Sequence, residues 1–121
     1  MTDEALSEAG LHAVSLFQEN EFRRIEEEFG YALSHGRSAE QAIEEDLKRE
    51  LDRCGSASGI DKEKIEIRVS HFEPDFSGIK SLVECCCELS EESGILIELI
   101  CTTSENIYLE DISRHQTNSK E

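Results

Sequence analysis

The spacing of apolar residues changes near the middle of the chain, and this change constrains the fold more than any other feature. Before residue 55, apolar residues recur every three or four positions, which is the period of a helix with one buried face. After residue 64, they alternate with polar residues, as in a strand with one buried face. Small residues fill positions 55–59 between the two halves. The pattern predicts an α+β domain in which helices precede a sheet.

The first half predicts helices in two regions. The first region extends from Leu11 to Leu33, and its period slips at residues 18–20, which indicates either one bent helix or two helices. The second region begins with a capping box at residues 38–41 and carries Ala39, Ile43 and Leu47 along one face. Neither half has enough apolar surface for a core of its own. We therefore expect residues 1–112 to form a single α+β domain, with residues 113–121 as a flexible C-terminal tail.

The second half contains one ambiguous segment, residues 79–92. As a helix, it turns Lys80, Glu84 and Glu88 to solvent; as a strand, it leaves Leu82 and Cys86 on the charged face. The helix is the interpretation that sorts the charges better. With strands at residues 65–72, 95–101 and 107–112, the prediction is N-terminal helices followed by a β-α-β-β unit, which forms a small three-stranded sheet covered by helices. If its first two strands are parallel, their connection is right-handed.

The net charge of the chain indicates which classes of molecule it binds. Twelve Lys and Arg residues stand against 28 Asp and Glu, and the net charge of −16 is spread over both halves. Such a surface repels phosphate backbones and anionic lipid headgroups, because binding to either depends on cations. The sequence therefore predicts a basic protein as partner, with no direct nucleic-acid binding and no membrane binding, and it leaves the oligomeric state open.

The cysteines and the N-terminal sequence favour a reducing compartment. The five cysteines are an odd number, and three of them are consecutive, which would invite mispairing where disulfides form. Met1 is followed by neither a basic nor a long apolar stretch. We expect a cytoplasmic protein.

No pattern in the sequence indicates catalysis. Consecutive side chains at Cys85, Cys86 and Cys87 diverge on a helix and on a strand, so they cannot converge on one metal ion. The four histidines lack metal-site spacing, and the serine-hydrolase, P-loop and dinucleotide-binding motifs are absent. We therefore predict no catalytic, metal-binding or cofactor-binding residues and no cofactor, and hence no enzyme.

Two short stretches resemble the histidine-containing phosphocarrier proteins of the sugar phosphotransferase system. Residues 10–13, Gly-Leu-His-Ala, resemble the start of that family's phosphorylatable-histidine loop, and residues 79–97 resemble its regulatory-serine helix with the strand after it. The resemblance implies that His12 is the phosphoacceptor and Ser81 the regulatory serine. Val14 and Ser15 stand where the family has Arg and Pro.

The function predicted from these observations is that of a small, acidic, non-enzymatic protein-binding module, an inhibitor, an immunity protein or a secretion chaperone in type. Two alternatives remain. One is a phosphocarrier-like protein with a degenerate histidine loop. The other is a nucleic-acid mimic, which would array carboxylates along one face at phosphate-like spacing.

Overall fold

The computed structural model describes residues 2–54, 65–73, 78–89 and 93–115, and within them it shows three helices followed by four strands. The α+β prediction is confirmed. The predicted hinge at residues 55–59 and residues 116–121 of the predicted tail at 113–121 lie outside the described residues. The elements are α1 (Asp3–Gln18), α2 (Phe22–Phe29), α3 (Ala39–Arg53), β1 (Ile65–His71), β2 (Ile79–Glu88), β3 (Gly94–Thr102) and β4 (Ile107–His115).

The helix boundaries follow the local signals in the sequence. The period slip at residues 18–20 marks a true break, where Asn20 has a φ of 57° between α1 and α2. Ser38 caps α3 by accepting a hydrogen bond from the backbone N–H of Gln41 at 3.1 Å. The Gln41 side chain donates instead to Glu45 at 3.0 Å. The predicted capping box is thus present in its serine half.

The sheet is an antiparallel meander in the order β1-β2-β3-β4, and it has one strand more than predicted. The prediction of a helix at 79–92 is wrong, because residues 79–88 form β2, which pairs with β1 on one side and β3 on the other. The three-stranded sheet and the β-α-β-β order are therefore also wrong, and no parallel crossover occurs between these strands. The last strand extends to His115, three residues beyond the predicted Ile112.

The helix prediction failed at β2 because this strand is apolar on both of its faces. Val83, Cys85 and Cys87 are fully buried towards the helices, while Leu82 and Cys86 lie on the opposite face beside Glu84. In a strand with one solvent-exposed face, apolar and polar residues alternate regularly. In a central strand with two partly apolar faces, they do not. Its pattern can then be matched by a helical period over a short segment.

All three helices pack on the same face of the sheet. Helix α1 contacts β1 and β2, α3 contacts β4 and β3, and α2 contacts both other helices. Gly10 allows α1 to approach closely, since a Cβ there would lie 3.0 Å from Cys85 Sγ and 3.1 Å from Val83 Cγ1. The core lies between the two layers. Its largest fully buried side chains include Phe17, Leu6, Ile25, Ile43, Ile95, Ile97, Leu99, Leu109 and Ile112.

Candidate functional site

The open face of the sheet, the side turned away from the three helices, is the candidate site. Among the described residues, no helix packs against it. Phe72 and Tyr108, two of the large apolar side chains that are most exposed, flank this face at 46% and 44% exposure. Partly exposed apolar side chains from β2 and β3 lie between them. A face of this composition indicates a surface that binds another molecule.

An acidic row, defined as Glu84, Glu98, Glu110 and Asp111, crosses the open face at right angles to the strands. Glu84 lies directly opposite Glu98, and Glu98 lies directly opposite Asp111. Directly opposed side chains in an antiparallel sheet have Cβ atoms about 5 Å apart, and like charges at that distance destabilise the pair. The chain therefore places three carboxylates next to each other at an energetic cost.

A β-bulge adds the fourth carboxylate. The register shifts between Glu98 and Leu99, so that Glu98 pairs with Asp111 and Leu99 pairs with Leu109. Glu110 is the extra residue, and bulges of this kind re-aim a side chain. Both Glu110 and Asp111 line the same shallow depression beside Glu98.

Apolar side chains lie on both sides of the acidic row. On one side Leu82 pairs with Ile100, which in turn pairs with Tyr108; on the other side Cys86 pairs with Leu96. The depression has a volume of about 400 Å³, lies on the Leu82 side of the row and is open to solvent. Its apolar lining residues are Leu33, Phe72, Ile79, Leu82 and Ile100. The open face thus presents an acidic row between the apolar row of Leu82, Ile100 and Tyr108 and a shorter apolar row, Cys86 and Leu96, which Glu66 and Ser113 flank.

One cation, Arg68, lies beside the acidic row at its Glu84 end. Burial raises the pKa of Glu98, and the charges of Asp111, Glu84 and Glu110 raise it further. Arg68 is opposite Glu84 in the register, but its guanidinium hydrogen-bonds Glu66 at 3.4 Å. Within the described ranges, no ion pair forms to any member of the row. The charge of Glu84 interacts with Arg68, but only carboxylates and burial shift the pKa of Glu98, so the centre of the row is a partly desolvated anionic site.

A second cluster, Asp3, His71 and Ser81, has the residue types of a catalytic triad. His71 Nδ1 lies 2.9 Å from Ser81 Oγ, and its Nε2 is bonded to Asp3 Oδ1. Ser81, however, is only 1% exposed, so its hydroxyl cannot reach a substrate. The cluster instead connects the start of α1 to β1 and β2. The same burial makes Ser81 inaccessible to a modifying enzyme, contrary to the regulatory role that the phosphocarrier resemblance implies.

His12 lies inside α1 and not in a loop. Its Nε2 is 2.7 Å from Glu28 Oε1, and this hydrogen bond is the main cause of a lowered pKa at Glu28. A phosphoacceptor nitrogen needs space and positive donors around it, whereas this one faces a carboxylate. The surroundings of His12 do not resemble a phosphohistidine site.

The three consecutive cysteines of β2 lie on both faces of the sheet. Cys85 and Cys87 point into the core, where burial raises the pKa of each thiol to about 12. Cys86 points to the open face and is 7% exposed, and burial raises its pKa as well. Thiols in such surroundings are poor nucleophiles. Among the residues described, no group of three or more His, Cys, Asp and Glu side chains could hold a metal ion.

Sequence reasoning missed the open face because it assigned residues 79–92 to a helix. The strand alternative would have placed Leu82, Glu84 and Cys86 on one face, which is the arrangement found.

The helices in the described part of the chain are too short or too polar to cross a membrane. Comparison with protein-family models, with curated proteins and with solved structures found no match.

Proposed function

We propose that this protein is a non-enzymatic binding module that engages a basic protein through the open face of its sheet. The observation that carries the proposal is the acidic row between apolar rows on a face that the helices leave uncovered. Apolar side chains provide area to bury, and unneutralised carboxylates select a positively charged partner. An inhibitor, an immunity protein or a secretion chaperone would each work in this way.

The net charge supports the same function at longer range. A charge of −16 attracts a basic protein and accelerates the encounter, while it repels nucleic acids and anionic membranes. Such steering acts mainly on the association rate constant. The nucleic-acid mimic is less well supported. A mimic presents negative charges along its whole binding face, as a phosphate backbone does, whereas here apolar rows lie on both sides of the carboxylates.

The test is affinity capture from native lysate at low and high salt, followed by kinetics with the purified partner. We expect a basic protein that is retained at low salt and whose association rate constant falls at least tenfold as salt rises, with little change in the dissociation rate constant. A bait with Glu84→Gln, Glu98→Gln and Asp111→Asn should retain less of it. A control bait with the same loss of three charges on α1 and its C-cap, Glu4→Gln with Glu8→Gln and Glu19→Gln, should retain nearly as much as the unmodified protein. Failure to recover any basic partner, or an association rate constant independent of salt, would contradict the proposal.

A further inference from the structure

The distance between neighbouring rows of the open face matches the distance between side chains on one face of an extended peptide. Neighbouring rows are two residues apart along each strand, which is about 7 Å. Side chains on one face of an extended peptide are also two residues apart and have the same spacing. An extended segment lying along the strands therefore places three successive side chains over the three rows.

The central position of such a segment has to be positive. The pairs Glu84–Glu98 and Glu98–Asp111 are unfavourable in the free protein, and a cation placed among them relieves both. A guanidinium suits the position better than an ammonium group, because its planar, forked donors bind two carboxylate groups at once and it is less strongly hydrated. The partly buried Glu98 is the central acceptor of this site.

The two flanking positions have to be apolar. Leu82 and Ile100 lie on one side of Glu84 and Glu98, and Cys86 and Leu96 lie on the other. A second copy of this chain does not satisfy the pattern, since it would bring another acidic row to the face and add to the repulsion. The charge complementarity therefore favours a different protein as occupant.

We propose that the open face recognises an extended segment of its partner in which one arginine, at the centre, is flanked two residues away on each side by a large apolar residue. The inference rests on the proposed function and specifies its partner. The arginine binds Glu98 together with Asp111 or Glu84, and the apolar residues cover the two apolar rows.

A short peptide tests this recognition without the natural partner. The probe is acetyl-Leu-Thr-Arg-Thr-Leu-amide, in which the threonines favour an extended backbone. Two controls replace the arginine by citrulline, its uncharged isostere, or move the arginine to the end of the same composition. Amide chemical shifts of the isotope-labelled full chain, followed by NMR during titration, report both affinity and location.

We expect saturable shifts on β2, β3 and β4 around residues 82–86, 96–100 and 108–111, with at least tenfold weaker binding of both control peptides. The variant Glu98→Gln with Asp111→Asn should weaken probe binding at least tenfold, whereas Glu8→Gln with Glu19→Gln should leave it unchanged. Unperturbed amide spectra of the free variants establish that both are folded. Equal binding of the arginine and citrulline peptides, shifts confined to the helices, or a dimer of the unmodified protein formed through the open face would each overturn the inference.

The two proposals fail in different ways. If a basic partner is captured and the bait with Glu84→Gln, Glu98→Gln and Asp111→Asn retains less of it, but the arginine and citrulline peptides bind equally, the proposed function stands and the inference about the arginine falls. If the peptide binds as expected but no basic protein is recovered from lysate, the face recognises arginine and the proposed function falls.

Discussion

Two acidic side chains in this molecule, Asp46 in the helical layer and Glu98 in the sheet, have opposite surroundings. Asp46 is 3% exposed on α3, and its carboxylate accepts hydrogen bonds from Tyr31 at 2.7 Å and from Arg49 at 3.0 Å. Arg37 adds a third at 3.2 Å. Glu98 is half-buried on the open face and is surrounded by other carboxylates.

The pKa shifts of the two groups go in opposite directions. Burial by itself raises the pKa of Asp46, but the hydrogen bonds from Tyr31 and Arg37 and the charges of both arginines outweigh burial and lower it. Burial also raises the pKa of Glu98, and its charged neighbours raise it further. The helical layer thus pairs Asp46 with arginines of the same chain, whereas the charges that act on Glu98 are those of other carboxylates. Paired buried charges serve the fold, and unpaired ones at a surface point to a ligand.

The largest expected effect is at Asp46. Replacing Asp46→Ala leaves Arg37 and Arg49 without their shared carboxylate and the Tyr31 hydroxyl without its acceptor. Breaking a buried ion pair is strongly destabilising, and because the arginines are partly exposed we expect the free energy of unfolding to fall by about 2–4 kcal/mol. Urea denaturation monitored by circular dichroism measures the change.

The neighbouring Glu45→Ala is the matched control, because Glu45 is exposed and also pairs with Arg37 at 3.0 Å. An exposed pair contributes at most about 1 kcal/mol. The pH dependence gives a second check. The folded pKa of Asp46 is lowered, so its stabilisation is present above the unfolded value of 3.8 and is lost as the pH falls through the folded pKa. Equal effects of the two substitutions, or an Asp46→Ala deficit that persists in strong acid, would show that Asp46 does not anchor this network.

A smaller effect is expected for Tyr31→Phe, which removes one hydrogen bond from the same carboxylate. Tyr31 is 8% exposed, and both burial and the adjacent Asp46 raise its pKa. The loss leaves part of a buried carboxylate unsatisfied, so unfolding should require about 1–2 kcal/mol less. Tyr108→Phe on the open face serves as the comparison and should change stability by no more than a few tenths of a kcal/mol. If the two tyrosine substitutions lower the free energy of unfolding equally, the hydrogen bond from Tyr31 to Asp46 does not stabilise the helical layer as proposed.

The parts of the fold that depend on neighbouring residues could be predicted from the sequence. The serine cap of α3 and the break between α1 and α2 are local events, and the sequence contained their signals at residues 38–41 and 18–20. The strand β3 is central in the sheet, and apolar residues on both of its faces are typical of that position. The same property in β2 led to the wrong assignment, since no local residue distinguishes a two-faced strand from a short buried helix.

The candidate site could not be predicted for a further reason. Its carboxylates come from three strands, and only the pairing register places Glu84, Glu98 and Asp111 in one row. Register is set by the turns and by the packing of the opposite face, not by the residues of the row. The bulge that brings in Glu110 is likewise a property of the pairing. Net charge is enough to propose a basic partner, but the geometry of the candidate site is non-local.

The smallest expected effect, and the only gain, is at Glu98. Glu98→Gln removes the central charge of the acidic row while keeping the shape of the side chain, so we expect it to raise the free energy of unfolding by about 0.2–1 kcal/mol at pH 7. The folded pKa of Glu98 lies above the unfolded value of 4.5, which means that the charged carboxylate costs stability above the folded pKa. The advantage of the variant should therefore shrink as the pH falls, and vanish below 4.5, where the carboxyl is protonated in both states.

Urea denaturation at pH 7 and at pH 4 measures this difference, with Glu8→Gln on α1 as the control that should change little at either pH. A loss of stability in Glu98→Gln at pH 7, or a gain that is the same at pH 4, would show that the acidic row is not strained in the free protein. The same substitution is expected to weaken binding of the arginine peptide. A residue whose removal stabilises the fold and impairs binding is retained for the partner rather than for the fold, which is the opposite of what Asp46→Ala should show.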